Sequence, residues 1–417
     1  MKKPASHIKR RRLLFTLFSW ITATVLLFVS YSVTNIGFSI SGEADIIKQS
    51  NFIFKELLQH ESSVPDSILF VNVCYDKQLA NIYDEDGFEI GNVDITDRHS
   101  LLRFLNILSR RNDYKYVILD VFFEDGIKTE YDSALYARIA SMERIVIPAL
   151  RDAVLSENKS LKKKAYLSDY TTTFFSDDYY KFELVSDGKL SIPYHIYSSI
   201  TGNKPTSYGI FHFDDGDLCN RTLFAYPHIT FEGMYAKNGS RNYYNLGADL
   251  LNYEEELLTD KLIKGKYIFI GDMELNDRHE TVVGDMPGLV ILANTFISLM
   301  HRQHVIPFPV KILLFIIYFI FSYQIFSRKS LFARIVEWRS KKDIDSFPFL
   351  GVILSWFTYS LILTFFCIIS YYTYGIAYDI LITATLLQIL DYIVTHSSQI
   401  ADIYGKISRK ESSKNQL

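Results

Sequence analysis

The sequence predicts an α/β domain, with a mostly parallel sheet covered by helices and a β-hairpin insertion, combined with four transmembrane α-helices. Three observations predict this architecture. Long apolar segments lie near both ends of the 417-residue chain. Between them, short runs that are apolar on both faces alternate with segments of helical periodicity, which is typical of a parallel sheet with helices on both sides. Clusters of Lys and Arg adjoin the long apolar segments, as they do at membrane boundaries.

The composition lies between that of a soluble protein and that of a membrane bundle. Hydrophobic residues make up 48% of the chain, and the mean hydropathy is +0.07. The three cysteines, Cys74, Cys219 and Cys367, include no CxxC pair, which excludes a zinc knuckle and a thioredoxin motif. A disulfide between Cys74 and Cys219 stays open, whereas Cys367 lies within an apolar segment.

The first apolar segment, residues 13–36, is long enough to cross a bilayer, which needs about 20 apolar residues. Four basic residues precede it at positions 9–12 of the predicted N-terminal segment 1–12. A cleaved signal peptide is the alternative, but its apolar core is about 7–15 residues long and a small-residue cleavage site follows it. Only Ser30-Tyr31-Ser32 approaches such a site, so we expect an uncleaved transmembrane helix.

The region from 37 to 306 begins with a regular series of elements. Helical spacing predicts a first helix at 44–59, and a short apolar run predicts a first strand at 67–73. The series continues with a helix at 98–108 capped by Asp97, a strand at 116–123, a helix at 132–142 capped by Asp132, and a strand at 144–150. A strand at 266–271 and a helix at 288–302 complete it.

The middle of this region has a different pattern. Two extended runs between residues 208 and 226 surround Asp214-Asp215-Gly216, which is typical of a hairpin turn. A tight turn is favoured there over a calcium loop of the EF-hand type, because Arg221 and Thr222 stand where acidic ligands would be expected. Residues 151–206 show no clear period, and we interpret them as an irregular insertion.

Three further spans are predicted at 307–326, 349–371 and 376–395. Lys and Arg are concentrated in the N-terminal segment, in the loop 327–348 and in the tail 396–417. The positive-inside rule therefore predicts that these three segments are cytoplasmic and that residues 37–306 form an extracytoplasmic domain. The basic loop is expected to face the lipid headgroups of the bilayer.

Four segments of the chain carry a resemblance to a known family: SILFVNVCYDKQL, DRHSLLRFLNILSRRNDYKYVILDVFFED, YGIFHFDDGDLCNRT and KGKYIFIGDMELNDRHETVVGDMPGLVILAN. They resemble the second type of CHASE domain, the cyclase/histidine-kinase-associated sensory extracellular domains of bacteria. The resemblance implies an N-terminal span, an outer sensory domain and closing spans in the bacterial inner membrane. Family members often continue into a cytoplasmic enzyme, whereas about 20 residues follow the last predicted span here. We therefore expect a sensor without its own output domain, which signals through a separate membrane or cytoplasmic partner protein.

The carboxyl edge of the predicted sheet supplies the candidate site, because ligands of parallel α/β sheets bind there. Acidic residues end or follow the predicted strands, and Asp-Arg-His occurs both at 97–99 and at 277–279. The candidate ligand-binding residues are Asp76, His99, Asp120, Asp272, Asp277, Arg278 and His279. The first strand departs from the family pattern, since it ends in Cys74-Tyr75-Asp76 where a pair of acids is common.

Three interpretations of these charges stay open. In the first, Asp97–Arg98 and Asp277–Arg278 are local ion pairs and Asp272 binds loop N–H groups, so the charges only fix the loops. In the second, they bind a small-molecule or environmental signal. In the third, Asp272, Asp277 and His279 hold a divalent ion in an anchored extracytoplasmic hydrolase.

A sensor is the favoured function, and an anchored metal enzyme or a structural membrane subunit is the alternative. The HExxH, GxSxG and Walker motifs of common hydrolases are absent from the sequence. We therefore expect no catalytic residue, no bound metal and no cofactor. The outer region has no basic patch interleaved with aromatic residues, so no nucleic acid partner is expected.

Overall fold

The computed structural model describes residues 5–36, 43–58, 64–84, 86–123, 127–149, 159–168, 170–172, 179–186, 188–230, 242–253, 261–274, 277–327, 348–378 and 380–395. They belong to two compact units. Residues Met1–Ile36 and Ile306–Leu417 form a helical unit, and Gly37–Val305 form an α/β unit. The predicted tail 396–417 and nearly all of the predicted basic loop 327–348 lie outside the described residues.

The helices and strands of the described residues are numbered along the chain. The helices are α1 (Ala5–Thr34), α2 (Glu43–Leu58), α3 (Arg98–Arg111), α4 (Asp132–Ser141), α5 (Lys159–Lys162), α6 (Ile192–Thr201), α7 (Gly288–Met300), α8 (Phe308–Phe326), α9 (Pro348–Tyr374) and α10 (Leu381–Thr395). The strands are β1 (Ile68–Asn72), β2 (Lys77–Tyr83), β3 (Glu89–Thr96), β4 (Tyr116–Asp120), β5 (Ile127–Lys128), β6 (Ile145–Ala149), β7 (Ala165–Leu167), β8 (Tyr170–Thr172), β9 (Tyr179–Glu183), β10 (Val185–Ser186), β11 (Lys189–Leu190), β12 (Pro205–Tyr208), β13 (Phe211–Asp214), β14 (Asp217–Cys219), β15 (Thr222–Phe224), β16 (Tyr243–Asn245), β17 (Tyr267–Gly271), β18 (Arg278–Thr281) and β19 (Gly284–Pro287).

Within the described part of the helical unit, three helices are long and apolar enough to cross a membrane. They are Arg11–Thr34 within α1, Phe308–Phe326, which is α8, and Ile353–Tyr374 within α9. Helix α10 has 15 residues, so it extends about 22 Å at 1.5 Å per residue, less than the roughly 30 Å of a bilayer core. The fourth span was predicted from residue 376, but Gly375, with a φ of 71°, follows the end of α9, and α10 begins only at Leu381. The fourth transmembrane helix therefore stays a prediction.

The α/β unit is built on a parallel sheet. Among the described residues the strand order is β16-β1-β17-β4-β6-β7, and every neighbouring pair is parallel. This confirms the mostly parallel sheet that the sequence predicts. Strand β17 comes last along the chain but lies between β1 and β4, so that Phe269 is the register partner of both Phe70 and Ile118.

Helices cover both faces of this sheet. Leu69 and Val71 of β1 belong to the apolar cluster that includes the buried side chains of α3 and α4. Ile68 and Phe70 belong to the cluster that includes those of α6 and α7. Successive side chains of a strand point to opposite faces, so a strand that is apolar at every position supplies both cores.

The predicted cap of α3 is confirmed, and that of α4 is wrong. Asp97 accepts hydrogen bonds from the backbone N–H groups of His99 and Ser100 at the start of α3. At α4 the N-cap is Tyr131, and Asp132 is the first helical residue. The carboxylate of Asp132 accepts bonds from the backbone N–H and the hydroxyl of Thr129, so it closes the preceding turn instead.

The interpretation of residues 151–206 as irregular is wrong for the part that the structure describes, which contains α5, α6 and several short strands. Strand β9 is buried at every position although it carries Lys181 and Glu183. The Lys181 ammonium lies 5.1 Å and 5.0 Å from the ring centres of Tyr180 and Phe224, so aromatic faces offset its burial. These charged residues interrupt the apolar pattern by which a buried strand is predicted.

Two three-stranded antiparallel sheets also belong to the α/β unit. Strands β13 and β14 pair around the turn at Asp215 and Gly216, and β12 pairs with the other edge of β13. Strand β2 pairs with both β3 and β5 in a second sheet, for which the sequence analysis predicts no elements.

Candidate site at the carboxyl edge of the sheet

The carboxyl ends of three neighbouring strands lie side by side. Asn72 ends β1, Gly271 ends β17 and Asp120 ends β4, and Gly271 is the register partner of both other residues. We call these strand ends, with the turns at 73–76 and 272–274, the sheet edge. The sheet edge brings together three of the predicted ligand-binding residues, because Asp76 and Asp272 directly follow β1 and β17 in its turns.

Glu274 ties the two turns of the sheet edge together. Its carboxylate accepts hydrogen bonds from the hydroxyls of Tyr243, at 2.7 Å, and Tyr75, and from the side-chain amide of Asn72, at 3.4 Å. Asn72 is fully buried, and its side-chain oxygen accepts a bond from the backbone N–H of Met273 at 3.1 Å. Glu274 was not among the predicted site residues. In the structure its hydrogen bonds fix the turns of the sheet edge relative to each other.

Asp272 and Asp76 also have local partners. Asp272 accepts a bond from the backbone N–H of Glu274 at 3.0 Å, and its other oxygen lies 3.3 Å from the Lys77 ammonium. The Asp76 carboxylate accepts a bond from the N–H of Gly247 at 3.1 Å. A Cβ at Gly247 would lie 3.3 Å from Cγ of Asp76 and closer still to Oδ1, so a larger residue there would displace the Asp76 carboxylate. Burial raises the pKa of Asp76, and the bond from Gly247 partly opposes that shift.

Asp120 and Asp277 form a pair of interacting carboxyl groups. Burial, and then the charge of Asp277, raise the pKa of Asp120 to about 8. Asp277 lies 2.9 Å from Nε2 of His279, and its carboxylate packs against the start of α7, where a Cβ at Gly288 would lie 2.8 Å from Asp277 Cγ. Within the described part of the chain, the Asp120 side chain has no hydrogen bond or ion pair. The pair therefore retains a proton near neutral pH.

The second Asp-Arg-His segment lies in a β-hairpin. Strands β18 and β19 pair antiparallel, and Arg278 donates two hydrogen bonds to Asp285 across them, one of them from Nε at 2.9 Å. The expected ion pair between Asp277 and Arg278 is replaced by the contacts of Asp277 with His279 and of Arg278 with Asp285. Neighbouring residues of an extended chain point to opposite sides, so Asp277 and Arg278 face different surroundings.

The first Asp-Arg-His segment opens α3 beside the sheet edge. The backbone N–H of Asp97 donates to the carbonyl of Asp76 at 2.8 Å. Arg98 is buried, with Nε 3.8 Å from the Asp132 carboxylate and the guanidinium 4.4 Å from the centre of the Phe123 ring. The expected Asp97–Arg98 ion pair is therefore replaced by a capping contact of Asp97 and a buried contact of Arg98.

His99 is exposed, and its ring centre lies 4.8 Å from that of Tyr131. No hydrogen bond joins it to the acids of the sheet edge among the described residues. Across that same part of the structure, no group of three or more His, Cys, Asp or Glu side chains could hold a metal ion. The residues of the metal hypothesis have separate contacts, since Asp272 pairs with Lys77 and His279 with Asp277.

A second polar cluster, which the sequence analysis missed, surrounds Asp214 at the end of β13. Asp214 and His304 are both fully buried, and His304 Nε2 lies 3.0 Å from an Asp214 oxygen. The same carboxylate accepts bonds from the hydroxyls of Tyr197, at 2.8 Å, and Tyr194, at 3.5 Å, and from the Asn203 amide at 3.4 Å. We call these five residues the Asp214 hub.

Hydrogen bonding decides the charge of Asp214. Burial alone raises the pKa of a carboxyl group, but the bonds from His304 and Tyr197 outweigh it and lower the pKa of Asp214 below its ordinary value. Nδ1 of His304 is buried and has no hydrogen-bond partner among the described residues. A proton there would be a buried, unsatisfied donor, so the neutral ring with its proton on Nε2 fits best.

The cysteines of the α/β unit are thiols in the structure. Cys74 and Cys219 are buried and form no disulfide. Burial, and then the neighbouring Asp272, raise the pKa of Cys74 to about 11. A raised pKa keeps a thiol protonated and unreactive near neutral pH.

Comparison with known proteins identifies the family. The family model described as the CHASE2 domain matches residues 54–324, which include the sheet edge, the Asp214 hub and most of α8. No curated protein and no solved structure matches the chain. The match covers well over half of the sequence, and CHASE2 is a family of sensory extracellular domains. The chain belongs to the CHASE2 domain family.

Proposed function

We propose that the protein is a multi-pass sensor of the bacterial inner membrane, with an extracytoplasmic signal-binding domain. The family match carries this proposal, and three helices with the length and apolarity of membrane spans support it. In the proposed topology four spans cross the membrane, both termini and the basic loop are cytoplasmic, and residues 37–306 are outside. The charge distribution of the sequence supports this orientation.

Reporter fusions test the topology. A reporter that is active only after export is fused after Gly239, and one that is active only in the cytoplasm is fused after Lys342. We expect both to be active in cells. Exchanging the two reporters is the matched control and should silence both, and activity of either exchanged fusion contradicts the topology.

We propose that the signal binds at the sheet edge near Asp120, Asp277 and His279, with Asp76 and Asp272 beside them and Arg278 and His99 at the periphery. Ligands of parallel α/β sheets bind outside the carboxyl ends of the strands. The other acids of the edge have partners of their own, whereas Asp120 has a raised pKa and no bonded partner among the described residues. A carboxyl group with a strongly shifted pKa at the edge of a sheet is typical of a functional site.

Binding without a metal, rather than hydrolysis, is the proposed activity of this site. The purified full-length protein in detergent is melted with EDTA, Mg²⁺, Ca²⁺ or Zn²⁺. We expect the melting temperature of the wild type to be the same in all four. If one ion stabilises the wild type but not the Asp277→Asn variant, the anchored metal enzyme becomes the better hypothesis. The Asp285→Asn variant controls for the loss of a charge in the same hairpin.

We further propose that a separate membrane or cytoplasmic protein receives the signal. A structural membrane subunit is the alternative. In a sensor, the Asp120→Asn variant should change the output of cells that carry it while the protein remains in a complex of unchanged size in native detergent extracts. If the variant changes the size of that complex, a structural role is supported instead.

A further inference from the structure

The chain leaves the α/β unit through a short segment between α7 and α8, residues 301–305, which we call the exit segment. Four contacts hold it to the β13–β14 hairpin and to the residue that follows the hairpin. The backbone N–H of Asn220 donates to the carbonyl of His304 at 2.8 Å, and Val305 forms an antiparallel bridge with Cys219. On the surface, Arg302 lies 2.6 Å from Asp217. Inside, the His304 ring reaches the Asp214 carboxylate.

The two side-chain contacts of the exit segment differ in their exposure to solvent. The Arg302 and Asp217 side chains are 47% and 59% exposed, whereas those of His304 and Asp214 are 0% exposed. Water and salt screen an exposed ion pair, so it contributes little to holding two segments together. A buried charge that loses a partner has no water to replace it. Of these two side-chain contacts, the one with Asp214 therefore contributes more to the attachment of the exit segment.

The Asp214 carboxylate also joins elements that are distant in sequence. Tyr194 and Tyr197 come from α6, Asn203 from the turn after α6, and His304 from the exit segment. Helix α6 contributes to the core on one face of the parallel sheet. A displacement of α6 therefore changes the geometry around the same carboxylate that holds the residue four positions before α8.

We propose that the Asp214 hub is the output coupling of the sensory domain. Changes in α6 or in the β13–β14 hairpin reach the exit segment, and so the start of α8, through the hydrogen bonds of this one carboxylate. The inference rests on the sensor role proposed above, but it does not depend on which signal binds or where. It assigns a role to the Asp-Asp-Gly hairpin, which the sequence analysis explains only as a turn.

Hydrogen–deuterium exchange of the full-length protein in detergent tests the coupling from the side of α6. The Tyr197→Phe variant removes one hydroxyl from the hub and keeps the ring. It should accelerate exchange in peptides that cover Asn220 and the exit segment by about fivefold, the effect of losing one typical hydrogen bond on a local opening equilibrium. Peptides that cover β17 should exchange as in the wild type, which shows that the domain remains folded.

Two variants are matched controls. Ser199→Ala removes an exposed hydroxyl from the same helix, which donates to the carbonyl of His195 at 2.8 Å and takes no part in the Asp214 hub. Asp217→Asn breaks the exposed ion pair of the exit segment. Each should change exchange in the exit segment by less than about twofold, as expected for surface contacts.

The Asp214→Asn variant should loosen the exit segment more than Tyr197→Phe does. If Asp214→Asn does not fold, the comparison of Tyr197→Phe with Ser199→Ala decides the matter alone. Unchanged exchange in the exit segment of Tyr197→Phe overturns the proposal, as does an equal effect of Asp217→Asn. A wrong topology in the reporter experiment would refute the sensor role while leaving these exchange rates as expected, so the two failures are distinguishable.

Discussion

The sheet edge and the Asp214 hub both place a carboxyl group among buried surroundings, yet their pKa values move in opposite directions. Asp120 has no bonded partner in the described part of the chain and a negative neighbour in Asp277, and its pKa rises to about 8. Asp214 is fully buried, and its pKa falls, because His304 and Tyr197 donate to it. Burial raises the pKa of both acids, and the donors around Asp214 reverse that shift.

The same difference separates a binding role from a coupling role. A carboxyl group with satisfied hydrogen bonds stabilises the fold and gains nothing from a further ligand. A carboxyl group without partners costs stability, and a ligand that supplies donors or positive charge relieves that cost. This contrast supports a signal site near Asp120 and a mechanical role for Asp214, and four predictions test it.

The largest expected effect is the loss of stability in Asp214→Ala. This variant leaves the donors of His304 and Tyr197 buried without an acceptor, and each buried donor without a partner typically costs about 1–3 kcal/mol. The measurement is urea unfolding of the full-length protein in detergent. Asp217→Ala, in the same hairpin, removes an exposed carboxylate and should cost about 0–1 kcal/mol. Similar losses in both variants would remove the distinction between the hub and the surface.

The next effect concerns pH and has the opposite sign. Because the pKa of Asp120 is higher in the folded than in the unfolded chain, its contribution to the free energy of unfolding is most favourable below about pH 4 and is lost as pH rises toward about 8. The Asp120→Asn variant cannot ionise, so its stability does not fall with pH for this reason. It should stabilise the protein by about 1–3 kcal/mol at pH 8, allowing for screening of a partly exposed group, and have little effect at pH 4.

Melting temperatures of wild type and variant between pH 4 and pH 8 measure this effect. Asp285→Asn is the control, since its carboxylate already has a partner in Arg278. A stabilisation by Asp120→Asn that is the same at both pH values would show that the ionisation of Asp120 is not its cause.

An effect of comparable size is expected where Asp277 meets the start of α7. A Cβ at Gly288 would overlap the Asp277 carboxylate, so Gly288→Ala should destabilise the protein by about 1–3 kcal/mol, as overpacking does. The penalty should disappear in the Asp277→Ala background, where the carboxylate is absent. Gly91→Ala is the control, because nothing lies within 4 Å of a Cβ at that position. A penalty that persists without the carboxylate would place its cause in the backbone of α7.

Much of the α/β unit could be predicted because its strands are apolar on both faces. Strands β1, β4, β6 and β17 lie where the sequence predicts them, since buried parallel strands need no polar alternation. Strand β9 could not be predicted in the same way, because Lys181 is buried against aromatic rings, a contact that depends on the neighbouring strand β15. The order of the strands could not be predicted either, since β17 comes last along the chain but lies between β1 and β4.

The candidate site could be predicted only in part. The strand ends identify Asp120 and Asp272, because the carboxyl edge of a parallel sheet follows from its strands. The partners of these acids do not follow from the sequence, since Arg278 contacts Asp285 across a hairpin rather than its neighbour. The Asp214 hub was missed because its buried pair joins residues 90 positions apart, and His304 appears in the sequence only as a single histidine before an apolar segment.

The smallest expected effect is that of Arg278→Gln. Arg278 was predicted as a ligand-binding residue, but in the structure it binds Asp285 on the surface of the β18–β19 hairpin, where its side chain is 30% exposed. An ion pair of this kind typically contributes about 0–1 kcal/mol and weakens with salt. The melting temperature of the variant should therefore differ little from that of the wild type, and the difference should shrink further in 1 M NaCl. A large loss of stability that salt does not reduce would mean that Arg278 makes a buried contact. The sheet edge would then, like the hub, depend on a buried charged side chain for its stability.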